Sequence, residues 1–174
     1  MTFELQPRLR GTLLELRPLR REDHDAVFEA AKDPLIWEQH PVKDRCEPHG
    51  FRKYFESAME SGGAFAVIDR ATGRIIGCTR YCNLGPEASE VEIGWTFLER
   101  AYWGGAHNRE MKSLLLEHAF RFVERVVFVV GETNMRSRKA VEKIGGRFLS
   151  RSDSIPGRAA TSFVTFVIDR PGAP

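Results

Sequence analysis

Cysteine is scarce in this chain: three of 174 residues, Cys46, Cys78 and Cys82, with no CxxC pair. An odd count without that spacing argues against a disulfide scaffold and makes a reducing cytoplasm the natural setting. Cys78 and Cys82 fall four apart on one face of a strand-like run, but no histidine is spaced to complete a metal site with them, so no metal is expected. Long apolar runs are absent too. The opening "MTFELQPRLRG" has no apolar signal core, and no stretch approaches the length that spans a bilayer, so a cytoplasmic protein without membrane attachment is expected. Charge of one sign is lacking: Lys plus Arg is 26 and Asp plus Glu is 24, net +2. That balance gives no electrostatic case for nucleic acid or a membrane surface, though it allows a local basic pocket. There is no repeat, linker or low-complexity segment. Neither a Gly-Lys-Ser/Thr phosphate loop nor GxGxxG occurs.

What remains is an ordinary globular composition, enough for one domain over residues 1–174. Residues 11–19 read as a strand running into a proline stop. Residues 21–33 read as a helix with Val27, Ala30 and Ala31 on one face. Three prolines make 34–48 an ordered loop, and 49–61 is a helix with Phe51, Phe55, Ala58 and Met59 on one side. Residues 64–84 form a hairpin, 89–99 a strand, 108–124 a helix and 125–133 a buried strand. Residues 134–145 form a short helix closed by glycine, and 146–153 with 160–169 a last strand pair. The expected fold is α/β (α+β): a mixed central sheet of about seven strands flanked by about four helices.

Between the fourth strand and the third helix stands "AYWGGAHNREMK", residues 101–112. Strand, glycine loop, helix and strand in that order form a right-handed crossover. The loop then sits at the carboxyl end of the first strand, where open sheets hold ligands. Gly104 and Gly105 would free backbone N–H groups at a helix start, a place for an anion. The alternative is a turn that only reverses the chain.

Four local patterns make the chain resemble the GNAT superfamily of acetyl-CoA-dependent N-acetyltransferases. They are "LRPLRREDHDAVFE", "TGRIIGCTRY", "EVEIGWTFLERAYWGG" and "NMRSRKAVEKIGGRF". The closest likeness is to the RimJ/RimL group, which acetylates N-termini of ribosomal proteins. The resemblance implies acetyl-CoA as co-substrate, with its pyrophosphate on Trp103, Gly104, Gly105, Ala106, His107, Asn108 and Arg109. The usual motif, Q/R-x-x-G-x-G/A, departs here to Ala101-x-x-Gly104-x-Ala106, which loses a polar side chain that Arg109 could replace. Asn108 doubles as a candidate helix N-cap. The backbone of Phe97 and Leu98 would hold the pantetheine arm, with Asn134 and Ser137 at the head of the next helix.

The implied chemistry is direct attack of a neutral amine on the thioester. A free α-amine has a pKa near ~8 and a lysine near ~10.4, so a base is useful. Glu92 is the candidate, since alternation puts Glu90, Glu92 and Gly94 on one face, which reads as wet. A solvated strand face is the plain alternative. Many superfamily members use a Tyr acid where this chain has Val141, so Ser137 is the remaining candidate to bond the leaving sulfur. Trp37, His40 and Arg45 fall where the family's substrate lid lies. Acceptor choice is expected in residues 34–48 and in the connection between the last two strands. The acceptor is read as a primary amine, a protein N-terminus ahead of a small molecule. The rivals are a CoA-binding sensor or interaction domain without catalysis, and a structural domain without a ligand. The oligomeric state is not written in the sequence, and a homodimer is left open.

Overall fold

The computed structural model describes residues 2–85, 89–159 and 161–172; residue 160, the start of the last predicted strand, lies outside them. Strands β1 (Leu9–Arg10), β2 (Leu14–Pro18), β3 (Ala64–Asp69), β4 (Ile75–Cys82), β5 (Glu90–Leu98), β6 (Arg125–Gly131), β7 (Arg147–Ser152) and β8 (Phe163–Asp169) form one sheet in the order β1-β2-β3-β4-β5-β6-β8-β7. Helices α1 (His24–Ala31), α2 (Pro48–Glu60), α3 (Ala106–Ala119) and α4 (Met135–Lys143) flank it. The eighth strand is the two-residue β1, too short to show as a pattern, so the predicted fourth strand is β5.

Period-two alternation in the central strands divides the core. In β3, Phe65 and Val67 face one cluster with Met111, Leu115 and Ala119 of α3. Their neighbours Ala64 and Ala66 face the other, with Val27 of α1 and Phe51, Tyr54, Phe55 and Ala58 of α2. The α2 residues recur at i, i+3, i+4 and i+7, the stripe one helix face needs. Phe51 is fully buried, and truncating such a side chain costs about 3–5 kcal/mol.

Two features open the middle of the sheet. All neighbouring strands are antiparallel except β5 and β6, and these pair only through Glu90–Arg125, Val91–Val126 and Glu92–Val127. Beyond that point β5 continues on β4 and β6 continues on β8, so the two strands diverge. A bulge aids the divergence: Arg80 faces Gly94 while Cys78 faces Phe97, so three steps along β5 oppose two along β4. Trp95, inside the bulge, holds φ +49, a conformation strained for a bulky residue.

Helix α3 starts at Ala106 and ends at Ala119, earlier at both ends than its sequence pattern predicts. Its second turn is tied to the start of β2 by Glu110, whose carboxylate accepts the backbone N–H groups of Thr12, Leu13 and Leu14 at 2.8, 2.8 and 2.9 Å, and its N-cap is Gly105. Asn108 is therefore inside the helix.

Candidate active site

The divergence of β5 and β6 opens into a cavity of about 760 Å³. Its walls are residues 93–98 of β5, 128–131 of β6, the starts of α3 and α4, α2 and the loop after α1.

The start of α3 is chemically open. Gly104 holds φ +64, which requires glycine. Gly105 has φ −107, and a β-carbon there would meet only the Trp103 carbonyl, 3.8 Å away. Neither packing nor backbone needs glycine at 105. Its bareness leaves room in front of the N–H groups of Gly105, Ala106 and His107, which among the described residues have no acceptor. Gly104 and Asn108 line the cavity. Gly105, Ala106 and Arg109 follow as exposed residues. The His107 side chain turns away from the cavity: its Nε2 lies 3.5 Å from Asp69 and its ring packs edge-on against Tyr102. Only its backbone belongs with the open turn.

The start of α4 is closed. The Asn134 side chain accepts from the Ser137 N–H at 3.2 Å, the N-cap its sequence position allows. The Arg136 N–H donates to Gln39 Oε1 at 3.0 Å. Asn134 and Ser137 both line the cavity, and buried Val141 occupies the position of the family's tyrosine acid.

On β5, Phe97 is core, packed on Trp37 and Tyr54 with ring centroids 5.2 and 5.9 Å away. The Leu98 carbonyl is occupied, accepting from the Trp103 indole at 2.9 Å. The Arg136 guanidinium lies 4.0 Å over the Trp103 ring and donates to the Ile36 carbonyl at 2.7 Å. It thereby straps α4 to the loop after α1. That loop is ordered, as its prolines predict, with 3-10 turns at Pro34–Ile36 and Asp44–Cys46.

Trp37, His40 and Arg45 do come together at the cavity wall. Trp37 is buried and its indole donates to the Ala31 carbonyl at 2.7 Å. Arg45 lies over the rings of Tyr54 and Trp37 at 4.9 and 5.4 Å, with His40 Nε2 at 3.3 Å from its Nη1. Burial, reinforced by the Arg45 charge, lowers the His40 pKa to about 3, so His40 is neutral. Burial lowers Arg45 to about 10.

Glu92 corrects the sequence reading. On the face predicted to be wet, Glu90 and Gly94 are half-buried and Gly94 lines the cavity, but Glu92 is 4% exposed and does not. Arg158, from the β7–β8 connection, reaches both of its oxygens at 2.7 and 2.6 Å, and Asn83 donates to one at 2.7 Å. Strand alternation could not reveal this, because the partner arrives from 66 residues away. Arg158, not Glu92, lines the cavity.

Two buried cations escaped sequence reasoning. Lys112 donates to Thr96 Oγ1 at 3.1 Å and lies 5.3 Å from the Phe128 ring centroid. Burial lowers its pKa to about 7. It occupies the apolar face of α3 three residues before Leu115, so a charge in an apolar stripe was the signal available. Arg80 stands between Cys78 and Cys82 on their strand face and is 3% exposed. Its Nη1 donates to the Ser57 carbonyl and hydroxyl at 2.8 and 3.1 Å, while Nε and Nη2 find no partner. Its guanidinium lies 4.1 Å over the Trp95 ring, which Arg158 also approaches at 4.5 Å. Among the described residues no group of His, Cys, Asp and Glu could hold a metal ion.

Comparison with known proteins places this geometry. In fold, a GCN5-related N-acetyltransferase from Brucella melitensis superposes with a TM-score of 0.84 at 20% identity, over 97% of this chain and 81% of its own. Spermidine N-acetyltransferase from Vibrio cholerae, solved with CoA and spermine, gives 0.69 at 16% identity over 92% and 97%. RimJ from Mycobacterium smegmatis, solved with CoA-disulfide, gives 0.69 at 19% identity over 97% and 88%. A sequence comparison with curated proteins finds no match. Residues 14–147 match the model of the acetyltransferase (GNAT) domain, and the chain belongs to that family.

Proposed function

We propose that this protein transfers an acetyl group from acetyl-CoA to a primary amine. The observation that carries the reading is the open start of α3 behind Gly104 and Gly105, at the mouth of a cavity formed by two diverging strands. Free N–H groups at a helix start suit a pyrophosphate, and Gly105 is glycine although the fold does not need it. The edge of β5 beyond Glu92, which does not pair with β6, suits an extended amide-bearing arm. The co-substrate supplies an activated thioester; the chain's residues bind, orient and shield. Neighbouring structures carry CoA in their own sites, and one is a spermidine acetyltransferase. Those are properties of proteins under 25% identical, and they lend the fold rather than the acceptor.

The residue roles follow the geometry. We assign Asn134 and Ser137, which line the cavity at the head of α4, to the arm and the sulfur. Glu92, sequestered behind Arg158, acts first by fixing that guanidinium in the wall; a role as base requires Arg158 to release it. Calorimetric titration with CoA, followed by a free-thiol release screen against N-terminal peptides and small amines, tests the reading. Micromolar CoA binding with amine-dependent thiol release is expected. Binding without release to any amine would favour a sensor, and no binding would overturn both readings.

A further inference from the structure

The cavity is lined by six cationic side chains, Arg45, Lys53, Arg80, Lys112, Arg136 and Arg158, against one acid, Asp44. A near-neutral chain has concentrated one sign of charge here. Some of it is neutralised: Arg158 by Glu92, and Arg136 by Glu38 at 3.5 Å. Arg45 and Arg80 form no ion pair among the described residues, and both are at least nine-tenths buried. Both rest against α2, where Arg45 stacks on Tyr54 and Arg80 is bonded to Ser57. A buried guanidinium without a carboxylate is costly, and two unpartnered nitrogens on one of them call for an explanation.

From this wall we infer that the acceptor is an amine that carries its own anion, a carboxylate near the reacting nitrogen, held by Arg45 and favoured by the field of Arg80. The inference rests on the acetyltransferase reading. Arg45 makes the contact, because its fork suits a carboxylate and it lines the cavity. Arg80 acts through the interior, since its free nitrogens are closed to water and its guanidinium stacks on Trp95. The same cations bear on the chemistry. A like charge disfavours an ammonium ion, so the wall promotes the neutral amine that attacks, and among the described residues exposed Asp44 is the one carboxylate lining the cavity. A polyamine would bring further ammonium groups against unpaired guanidiniums. Spermidine, the substrate named for one structural neighbour, is therefore a poor fit. The anion has two sources: the α-carboxylate of a free amino acid, or an acidic side chain close to a peptide N-terminus.

The test uses the full chain and matched pairs: an amino acid and its α-carboxamide, a peptide with Glu at its second position and its Gln twin, and spermidine. Thiol release with acetyl-CoA is expected to favour the carboxylate member of one pair by about 10-fold or more in kcat/KM, the scale of one charge-assisted bond. The responding pair identifies the source. Arg45→Gln should erase the preference through KM, and Arg80→Met should reduce it, while calorimetry finds CoA affinity within twofold of wild type in both. Binding is also read without turnover, by titrating the N-acetylated form of each carboxylate and its amide into CoA-loaded protein and into free protein. Equal binding of carboxylate and amide, or better turnover of spermidine, overturns the inference. Failure of CoA to bind overturns the acetyltransferase reading instead, and the free-protein titration still decides whether the wall selects an anion. A loss of CoA affinity in Arg45→Gln would assign the cations to the co-substrate and also overturn the inference.

Discussion

Two helices begin at the same cavity, and they begin differently. At α4 the side chains of Asn134 and Gln39 take up backbone N–H groups, so the turn is complete within the protein. At α3 the N-cap is glycine, and among the described residues three successive N–H groups find no acceptor. An exposed helix start can satisfy its donors with water, so the open turn is not an error of folding. It is a turn whose partner has to come from outside. The buried charges repeat the contrast: Glu92 and Arg158 complete each other, whereas among the described residues Arg80 and Lys112 have no carboxylate. Satisfied groups report how the fold is held; unsatisfied ones report where it expects company.

The sharpest way to break this contrast is Gly105→Val. It would fill the space before the open turn, and loss of several charge-assisted bonds at about 1.5–3 kcal/mol each should weaken CoA binding by on the order of 10²-fold or more. The melting temperature should barely move, because a β-carbon at 105 meets only a distant carbonyl. Unchanged CoA affinity by calorimetry would show the turn to be mere loop. Gly104 is a poorer probe, since any side chain at φ +64 adds strain of its own.

Among the paired charges, Glu92→Gln should leave CoA affinity nearly unaltered and lower turnover. If Glu92 is freed during the reaction to act as base, the loss is about 10²-fold at neutral pH and shrinks as the amine deprotonates in alkali. If it only fixes Arg158, the loss is flat with pH and Arg158→Met reproduces it. The pH profile of the two variants separates these outcomes.

Lys112 tests the unpaired side. Burial holds its pKa near 7, below its ordinary value of 10.5. The unfolded chain therefore binds a proton that the folded chain refuses between those values, and stability rises with pH across that window. The penalty is full below about 7 and gone above 10.5. Lys112→Met should thus stabilise the protein at pH 6 by on the order of 1–3 kcal/mol, a gain that fades towards pH 10.5. Denaturant titrations at the two pH values measure it, and an equal effect at both would show that the ammonium is not strained.

Smaller effects calibrate the two helix starts. Asn134→Ala should cost about 1 kcal/mol of stability, a drop of about 2–4 °C in melting temperature, through the lost cap. CoA affinity should fall as well if the side chain also holds the arm. Arg109→Ala should weaken CoA by only about 0.3–1 kcal/mol, since Arg109 is exposed, and the difference should vanish as salt rises.

The fold was largely legible because its cues are local. The α2 stripe, the proline-bound loop and the glycine turn each write their geometry into neighbouring residues. The family patterns order them, and Asn134 declares itself a cap by position. The candidate site was legible only along the backbone. Glu92 misled because alternation knows a residue's face but not what lands on it, and Arg158 lands there from a distant connection. That connection was expected to matter for acceptor choice, but no single residue in it could be named. Asn108 misled by about one turn because α3 runs back to Gly105, a cap with no side chain to read as one. Arg80 was not singled out in the sequence, and only packing shows that among the described residues it forms no ion pair.

The short β5–β6 register has a mechanical consequence. The strands before it, residues 9–98, and those after it, 125–169, form two antiparallel blocks, each contiguous in sequence. Among the described residues, three facing residue pairs are the only strand pairing between them. In main-chain bonds this joint is narrow, although side chains of both blocks share one core across it, and a local opening there would widen the cavity while every antiparallel ladder stays intact. Hydrogen exchange would show it as earlier deuterium uptake at the amides of 90–92 and 125–127 than at those deep in β3 or β8, with ligand slowing the first set and leaving the second alone.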